Sequence, residues 1–222
     1  MVDKIVDNPA QAEADASEPP RPEDEIREAI VSGRFQPKER LTEASLSQTL
    51  GVGRSAVRTA LARLEHEGLI EHERHRGARV RLVDEREAVE ILETRAVLEG
   101  LAVRHAARRA TDEDVEELRH ILRRMREMLD QGDLIGASDE NAALHERLLE
   151  LAGHATASRL IGTLKCQLVR FQYRTILLPG RSERSYAEHE AIVEAVAGRN
   201  PWAAEAAMRT HLSHVAEALQ RD

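Results

Sequence analysis

The stretch from Leu41 to Val83, LTEASLSQTLGVGRSAVRTALARLEHEGLIEHERHRGARVRLV, constrains this chain most, because helical and strand periodicities follow one another within it. Leu46 and Leu50 mark one face of a short helix. Gly51 stops that helix, since glycine reaches left-handed backbone angles without steric cost. Val52 caps the turn, and Val57, Leu61 and Leu64 repeat with helical period in the next segment. The opposite face of that second helix carries Arg54, Ser55, Arg58 and Thr59. Two short helices joined by a glycine-containing turn make a helix-turn-helix, whose second helix can enter the DNA major groove. After Gly68, residues 69–73 and 78–83 alternate as two strands, with His75-Arg76-Gly77 as the turn of a β-wing. The combination points to DNA binding.

Charge is distributed accordingly. Residues 37–83 hold nine Lys/Arg against six Asp/Glu, whereas residues 84–222 hold 19 against 25. A basic patch on an otherwise acidic chain is the electrostatic footprint of a DNA-binding module joined to something else. The 222 residues leave room for two domains. Alanine, leucine, glutamate and arginine dominate and aromatics make up 2%, a helical composition. The lone Cys166 cannot form an intrachain disulfide, no run is long enough to span a membrane, and no signal peptide follows Met1. A cytoplasmic protein without membrane contact is expected.

Residues 1–22, biased to Ala, Asp, Glu and Pro, carry too little apolar surface to fold and read as a disordered tail. The first helix is expected over Glu23–Ser32, with Ile26, Ala29 and Ile30 inward and Gly33 and Pro37 ending it. The winged domain then occupies residues 23–83. Asp84 is an N-cap candidate for the next helix. From there every period is helical, and breaks at Gly, Pro and Asn divide residues 84–222 into helices near 84–108, 112–130, 135–151, 155–177, 184–197 and 201–220. Such spacing suits an antiparallel bundle with short loops. The expected fold is mainly α, a winged helix-turn-helix followed by a six- or seven-helix bundle.

Three of the ten histidines fall on apolar helix faces. His145 lies with Leu148, Leu149 and Ala152, and Asn141 sits one turn before it. His189 shares a face with Ile192, Val193 and Val196. His211 lies with Ala204, Ala207 and Met208, whereas His214 falls on a polar face and reads as solvated. A buried neutral imidazole without a partner costs on the order of 1–3 kcal/mol. Spacing leaves two readings open: hydrogen-bonded core histidines, or ligands of one divalent metal built between facing helices.

Taken together, Arg40-Leu41-Thr42-Glu43, Leu50-Gly51-Val52, Arg54, Val57-Arg58, Glu67-Gly68-Leu69-Ile70 and Arg76-Gly77-Ala78-Arg79-Val80 resemble the winged helix of GntR-family transcriptional regulators. Arg95, Leu98 and Glu99 resemble the opening of the FCD effector domain of the FadR subfamily. Asn141-x-x-x-His145 with His189 and His211 resembles that domain's metal-ligand pattern. Six rather than seven bundle helices are closer to the VanR-type branch. Gly53, Ala56, Asn141 and Leu144 depart from the family's frequent serine, proline, aspartate and phenylalanine.

The resemblance implies a homodimeric, ligand-responsive regulator, most often a repressor, on a palindromic double-stranded DNA operator. Arg54 and Arg58 would read guanine edges or phosphates, Ser55 and Thr59 would contact bases or backbone, and Arg40 a phosphate. Arg76 and Gly77 would set the wing tip near the minor groove. The bundle would hold a divalent metal, Zn²⁺ or Ni²⁺, on Asn141, His145, His189 and His211, beside a small carboxylate effector. Arg95 is the candidate carboxylate clamp, with an ion pair to Glu99 as its alternative role; Arg170 and Arg174 are weaker candidates. Two competing readings are a metal-dependent hydrolase built on the same histidines and a bundle serving only dimerisation. The hydrolase lacks a placed general base, since Glu146 and Glu190 turn away from the histidine faces.

Overall fold

A computed structural model of the chain describes residues 21–73, 77–168, 171 and 175–220. The tail expected over residues 1–22 lies outside the described residues except for its last two positions. The chain enters helix α1 (Pro22–Val31) with proline in the first turn beside Glu23, Asp24 and Glu25, both favourable at a helix N-terminus. Strand β1 (Arg40–Leu41) precedes α2 (Glu43–Leu50), whose first turn is capped by the Thr42 hydroxyl accepting from the Ser45 N–H at 3.2 Å. Gly51 closes α2 at φ +66°, and the Ser47 hydroxyl donates to the Val52 carbonyl at 2.5 Å, fixing the turn. Helix α3 (Arg54–His66) follows, then β2 (Ile70–Glu73) and β3 (Gly77–Val80).

The sheet runs β1-β3-β2, antiparallel throughout, with Arg40 opposite Arg79 and Ile70 opposite Val80. The wing's second strand is shorter than expected. Arg81 turns its side chain out of the sheet toward Glu87 and Gln167. Ile26, Leu46, Val57, Leu61, Leu64 and Ile70 form one closed core under these elements.

Asp84 caps α4 (Glu85–Arg109) by accepting from the Glu87 N–H at 2.8 Å, as expected of it. A reciprocal Thr111–Asp114 capping box opens α5 (Asp112–Asp130). Next come α6 (Leu134–Ala152) and α7 (Ala155–Gln167), then α8 (Arg181–Ala197) and α9 (Pro201–Leu219). The helix expected over 155–177 is interrupted. At Leu168 the N–H bonds Lys165 O, three residues back, and the α-helical ladder ends. Helix α9 packs most extensively on α4. Gly100 permits that approach, since a Cβ there would meet Arg209 Cγ at 2.9 Å. A second core gathers Leu92, Leu118, Leu144, Ile192 and Met208. Burying each such side chain contributes about 1.5–3 kcal/mol relative to exposure.

Candidate metal centre and nucleic-acid interface

Helices α6, α8 and α9 each deliver one imidazole to the middle of the bundle. His145, His189 and His211 are all buried, and one ring nitrogen from each lies within 4.8 Å of the others. Ring centroids stand 4.4 Å apart for His189 and His211 and 5.4 Å for the other two pairs. Two rings are oriented from behind by carboxylates. Glu99 Oε2 lies 2.7 Å from His145 Nδ1, and Glu188 Oε2 lies 2.8 Å from His211 Nδ1. Burial alone would raise the Glu99 carboxyl, but Arg95 and His145 outweigh it and hold the group below its ordinary range. Glu188 is likewise held low against burial by His211 and Arg181. Both carboxylates are therefore ionised acceptors, each Nδ1 carries the proton, and each Nε2 keeps its lone pair for the centre.

His189 has no such partner. Both its ring nitrogens, and the Asn141 Oδ1 one turn before His145, are buried without a hydrogen bond among the described residues. Burial lowers all three imidazoles: His145 below its ordinary value, His211 to about 4 even though the Glu188 carboxylate opposes the drop, and His189 well below its ordinary value. Three neutral, converging imidazoles with orphaned lone pairs are the form in which histidine binds a divalent metal. The donor set fits a borderline ion, with Asn141 as a weak neutral oxygen donor.

The rings open onto a chamber of about 140 Å³. Arg95, Asn141, Lys165 and Arg181 share its wall with the three histidines. Arg95 Nε donates to Glu99 Oε1 at 2.7 Å, so the ion pair weighed against its clamp role is present, although its side chain still lines the chamber. Arg170 and Arg174 lie outside the described residues. His214 is not simply solvated: its Nδ1 lies 2.8 Å from Glu188 Oε1, on the other oxygen of the carboxylate that orients His211. Sequence reasoning missed Glu188, Arg181 and Lys165. Glu188 sits beside His189 in the chain, but its partners lie on α9, and no local spacing announces them.

In the winged helix, α3 presents its polar face to solvent. Arg54, Ser55, Arg58 and Thr59 are exposed along one face while Val57, Ala60, Leu61 and Leu64 are buried on the other. Gly53 supplies no side-chain cap to this helix. Arg58 is 72% exposed and bonds both Glu43 carboxylate oxygens at 2.9 Å. Thr59 donates its hydroxyl to Ser55 O at 3.2 Å. Arg40 stands exposed on β1, and Gly77 is exposed at φ +83° where β3 begins; Arg76 lies outside the described residues.

One side chain ties the two regions together. Gln167 Nε2 donates to Glu67 O, at the end of α3, at 2.8 Å, and its Oε1 accepts from Arg81 at 3.3 Å. Gly68 accommodates this contact, since a Cβ there would meet Gln167 Nε2 at 2.8 Å. Two residues earlier on α7, Lys165 lines the chamber.

Comparison with known proteins places these features. Residues 22–80 match the bacterial regulatory proteins of the gntR family, and residues 90–214 match the FCD domain. The chain is 30% identical over 216 residues to the HTH-type transcriptional regulator LutR of Bacillus subtilis (strain 168), covering 86% of this chain and 95% of LutR. It is 28% identical over 200 residues to the HTH-type transcriptional repressor GlaR of Escherichia coli (strain K12), covering 84% and 89%. The solved structure of E. coli McbR/YncC shares the fold, with TM-score 0.73 at 19% identity over 90% of this chain and 95% of that one. These relatives are regulators, not enzymes, and no helix among the described residues is long and apolar enough to cross a membrane. The chain belongs to the GntR family of DNA-binding transcriptional regulators, with an FCD domain behind its winged helix.

Proposed function

We propose that the chain is a metal-containing, ligand-responsive repressor that binds a palindromic operator as a homodimer. Residues 23–83 form the DNA-binding domain and residues 84–222 the effector and dimerisation domain. One observation carries the metal reading: both nitrogens of His189 and the oxygen of Asn141 are orphaned in the middle of a triplet whose other two rings are aimed by carboxylates. Unpaired buried polar atoms cost on the order of 1–3 kcal/mol each, and a shared Zn²⁺ or Ni²⁺ would remove that cost for Asn141 Oδ1 and for the one His189 nitrogen it takes. His145, His189 and His211 would hold the ion and Asn141 would add a weak oxygen; the ion would supply a Lewis acid for an effector carboxylate, and Arg95 lines the same chamber.

On DNA, Arg54 and Arg58 read guanine edges or phosphates, Ser55 and Thr59 contact bases or backbone, Arg40 takes a phosphate, and Arg76 and Gly77 set the wing tip. Arg58 exchanges an exposed pair with Glu43 for DNA, a change that costs little because solvent screens that pair.

Emission spectrometry on full-length protein purified without chelator tests the metal. About one divalent ion per chain is expected from the coordination argument, with His189→Ala losing it. Equal metal content in the wild type and His189→Ala would reject the centre. Sedimentation at micromolar concentration with operator present tests the dimer; a monomer with undiminished operator affinity would reject it.

A further inference from the structure

A larger space than the histidine chamber lies where the bundle meets the winged helix. It holds about 210 Å³, against about 140 Å³ for the chamber. Ile30, Phe35, Leu69 and Val80 wall it from the winged helix, and Cys166 and Phe171 from the bundle. Two helices stop at its edge. Helix α1 ends in a turn at Gly33, φ +76°, that brings Phe35 back to the helix, its N–H donating to Ala29 O at 2.9 Å. Helix α7 ends where Gln167 donates to Glu67 O. Ile30, Phe35, Cys166 and Phe171 are only half-buried around the space. Phe35 and Phe171 are the two phenylalanines of the chain, one from each region.

The wall offers nothing to a charged guest. No Asp, Glu or Lys lines it among the described residues. Arg81 does, but its Nη2 is paired with Glu87 and its Nη1 donates to Gly68 O and Gln167 Oε1. The other polar side chains are also engaged: Ser32 donates to Ala29 O, Gln36 to Gly33 O and Gln167 to Glu67 O. An ion entering would lose hydration without gaining a counter-charge. An uncharged ring gains apolar burial instead. Volume narrows the class further. An apolar cavity of about 150 Å³ is enough for benzene, whereas drug-sized molecules take roughly 300–1,000 Å³. One ring with a small substituent fits. Aromatic character is favoured over saturated, because phenylalanine rings attract another π system and an engaged guanidinium still presents its face to one.

We propose that the joint between the winged helix and the bundle is a second ligand site, separate from the histidine chamber, for a neutral single-ring aromatic molecule. A ring seated there lies against Gln167, the side chain that ties the two regions, so the site gives this joint an input of its own.

Ligand-observed NMR titration of the full-length protein with benzyl alcohol and cyclohexylmethanol tests this. Benzyl alcohol should bind about threefold or more tightly than its saturated counterpart, the share of one aromatic contact. Benzoate at equal concentration should not displace it. Val31 is the last residue of α1 and lines the space half-buried, so Val31→Phe should fill the cavity and abolish binding. Phe171→Leu should weaken binding about threefold or more. Equal affinity for the two alcohols, full displacement by benzoate, or unchanged affinity in both variants would overturn the proposal. Should Val31→Phe fail to fold, Phe171→Leu decides alone, supporting the site by weakening benzyl alcohol and overturning it by leaving the affinity unchanged.

Discussion

Lowering the pH on metal-free protein should expose the cost of the histidine centre directly. His211 titrates near 4 in the folded chain against an ordinary 6.5, because burial disfavours the imidazolium. The unfolded chain therefore takes up this proton first, and stability is lost as pH falls from about 6.5 toward 4. The full shift corresponds to about 3 kcal/mol at 1.36 kcal/mol per pKa unit. By pH 5 the unfolded state is almost fully protonated at this site and the folded state hardly at all, which makes the loss about 2 kcal/mol from His211 alone. His145 and His189 are shifted in the same direction and add to it. A domain typically has only about 5–15 kcal/mol of stability, so the effect is large. Urea denaturation in EDTA at pH 7.5, 6.0 and 5.0 reads it. His211→Gln keeps a donor for Glu188 but cannot titrate, and it should remove about 2 kcal/mol of the decline. A flat stability profile for the metal-free wild type, or an identical decline in His211→Gln, would refute the reasoning.

Glu99→Gln keeps the shape behind His145 but removes the charge that fixes its tautomer, and should weaken zinc binding by roughly 10–100-fold in a chelator competition; an unchanged affinity would mean that Glu99 serves only Arg95. The double variant Arg54→Ala, Arg58→Ala should lose specific operator retardation while its circular dichroism stays native, and wild-type binding should fall steeply with salt as phosphate contacts release counterions. Normal retardation by the double variant would overturn the assignment of α3 as the reading helix. Gln167→Ala should leave zinc content intact but shrink the difference in operator affinity between zinc-loaded and chelated protein, and an unchanged difference would rule this contact out as the route between the regions.

The fold was legible wherever burial repeats with a fixed period. Val57, Leu61 and Leu64 announce the buried side of α3, and the arginines opposite them are exposed for the same reason. The capping residue Asp84 was legible as a start signal because it places an oxygen before an apolar-periodic run; Thr42 and Thr111, which cap α2 and α5 in the same way, were not singled out. Strand β1 was not, since two residues cannot display an alternation. The break after Gln167 also left no mark in the sequence. No glycine or proline lies between Gly162 and Pro179, and α7 ends where Gln167 is drawn to the winged helix and Leu168 is buried.

The centre divides along the same line. The three converging histidines can each be picked from a single helix because a polar residue on an apolar stripe is a local anomaly. Their supporting groups cannot. Glu99 has a sufficient local explanation in Arg95, four residues away, and its contact with His145 spans 46 positions. Glu188 sits among the polar residues of α8, and its three partners become visible only when α9 is laid against it and Arg181 folds back from the start of its own helix. Arg181 in the sequence is one more arginine beside a glycine. What marks it is a desolvated charge with most of its donors unused, a property that exists only after the bundle has closed around it. The histidines that periodicity recognises thus converge in the middle of the bundle, and groups that periodicity cannot see set the charge around them.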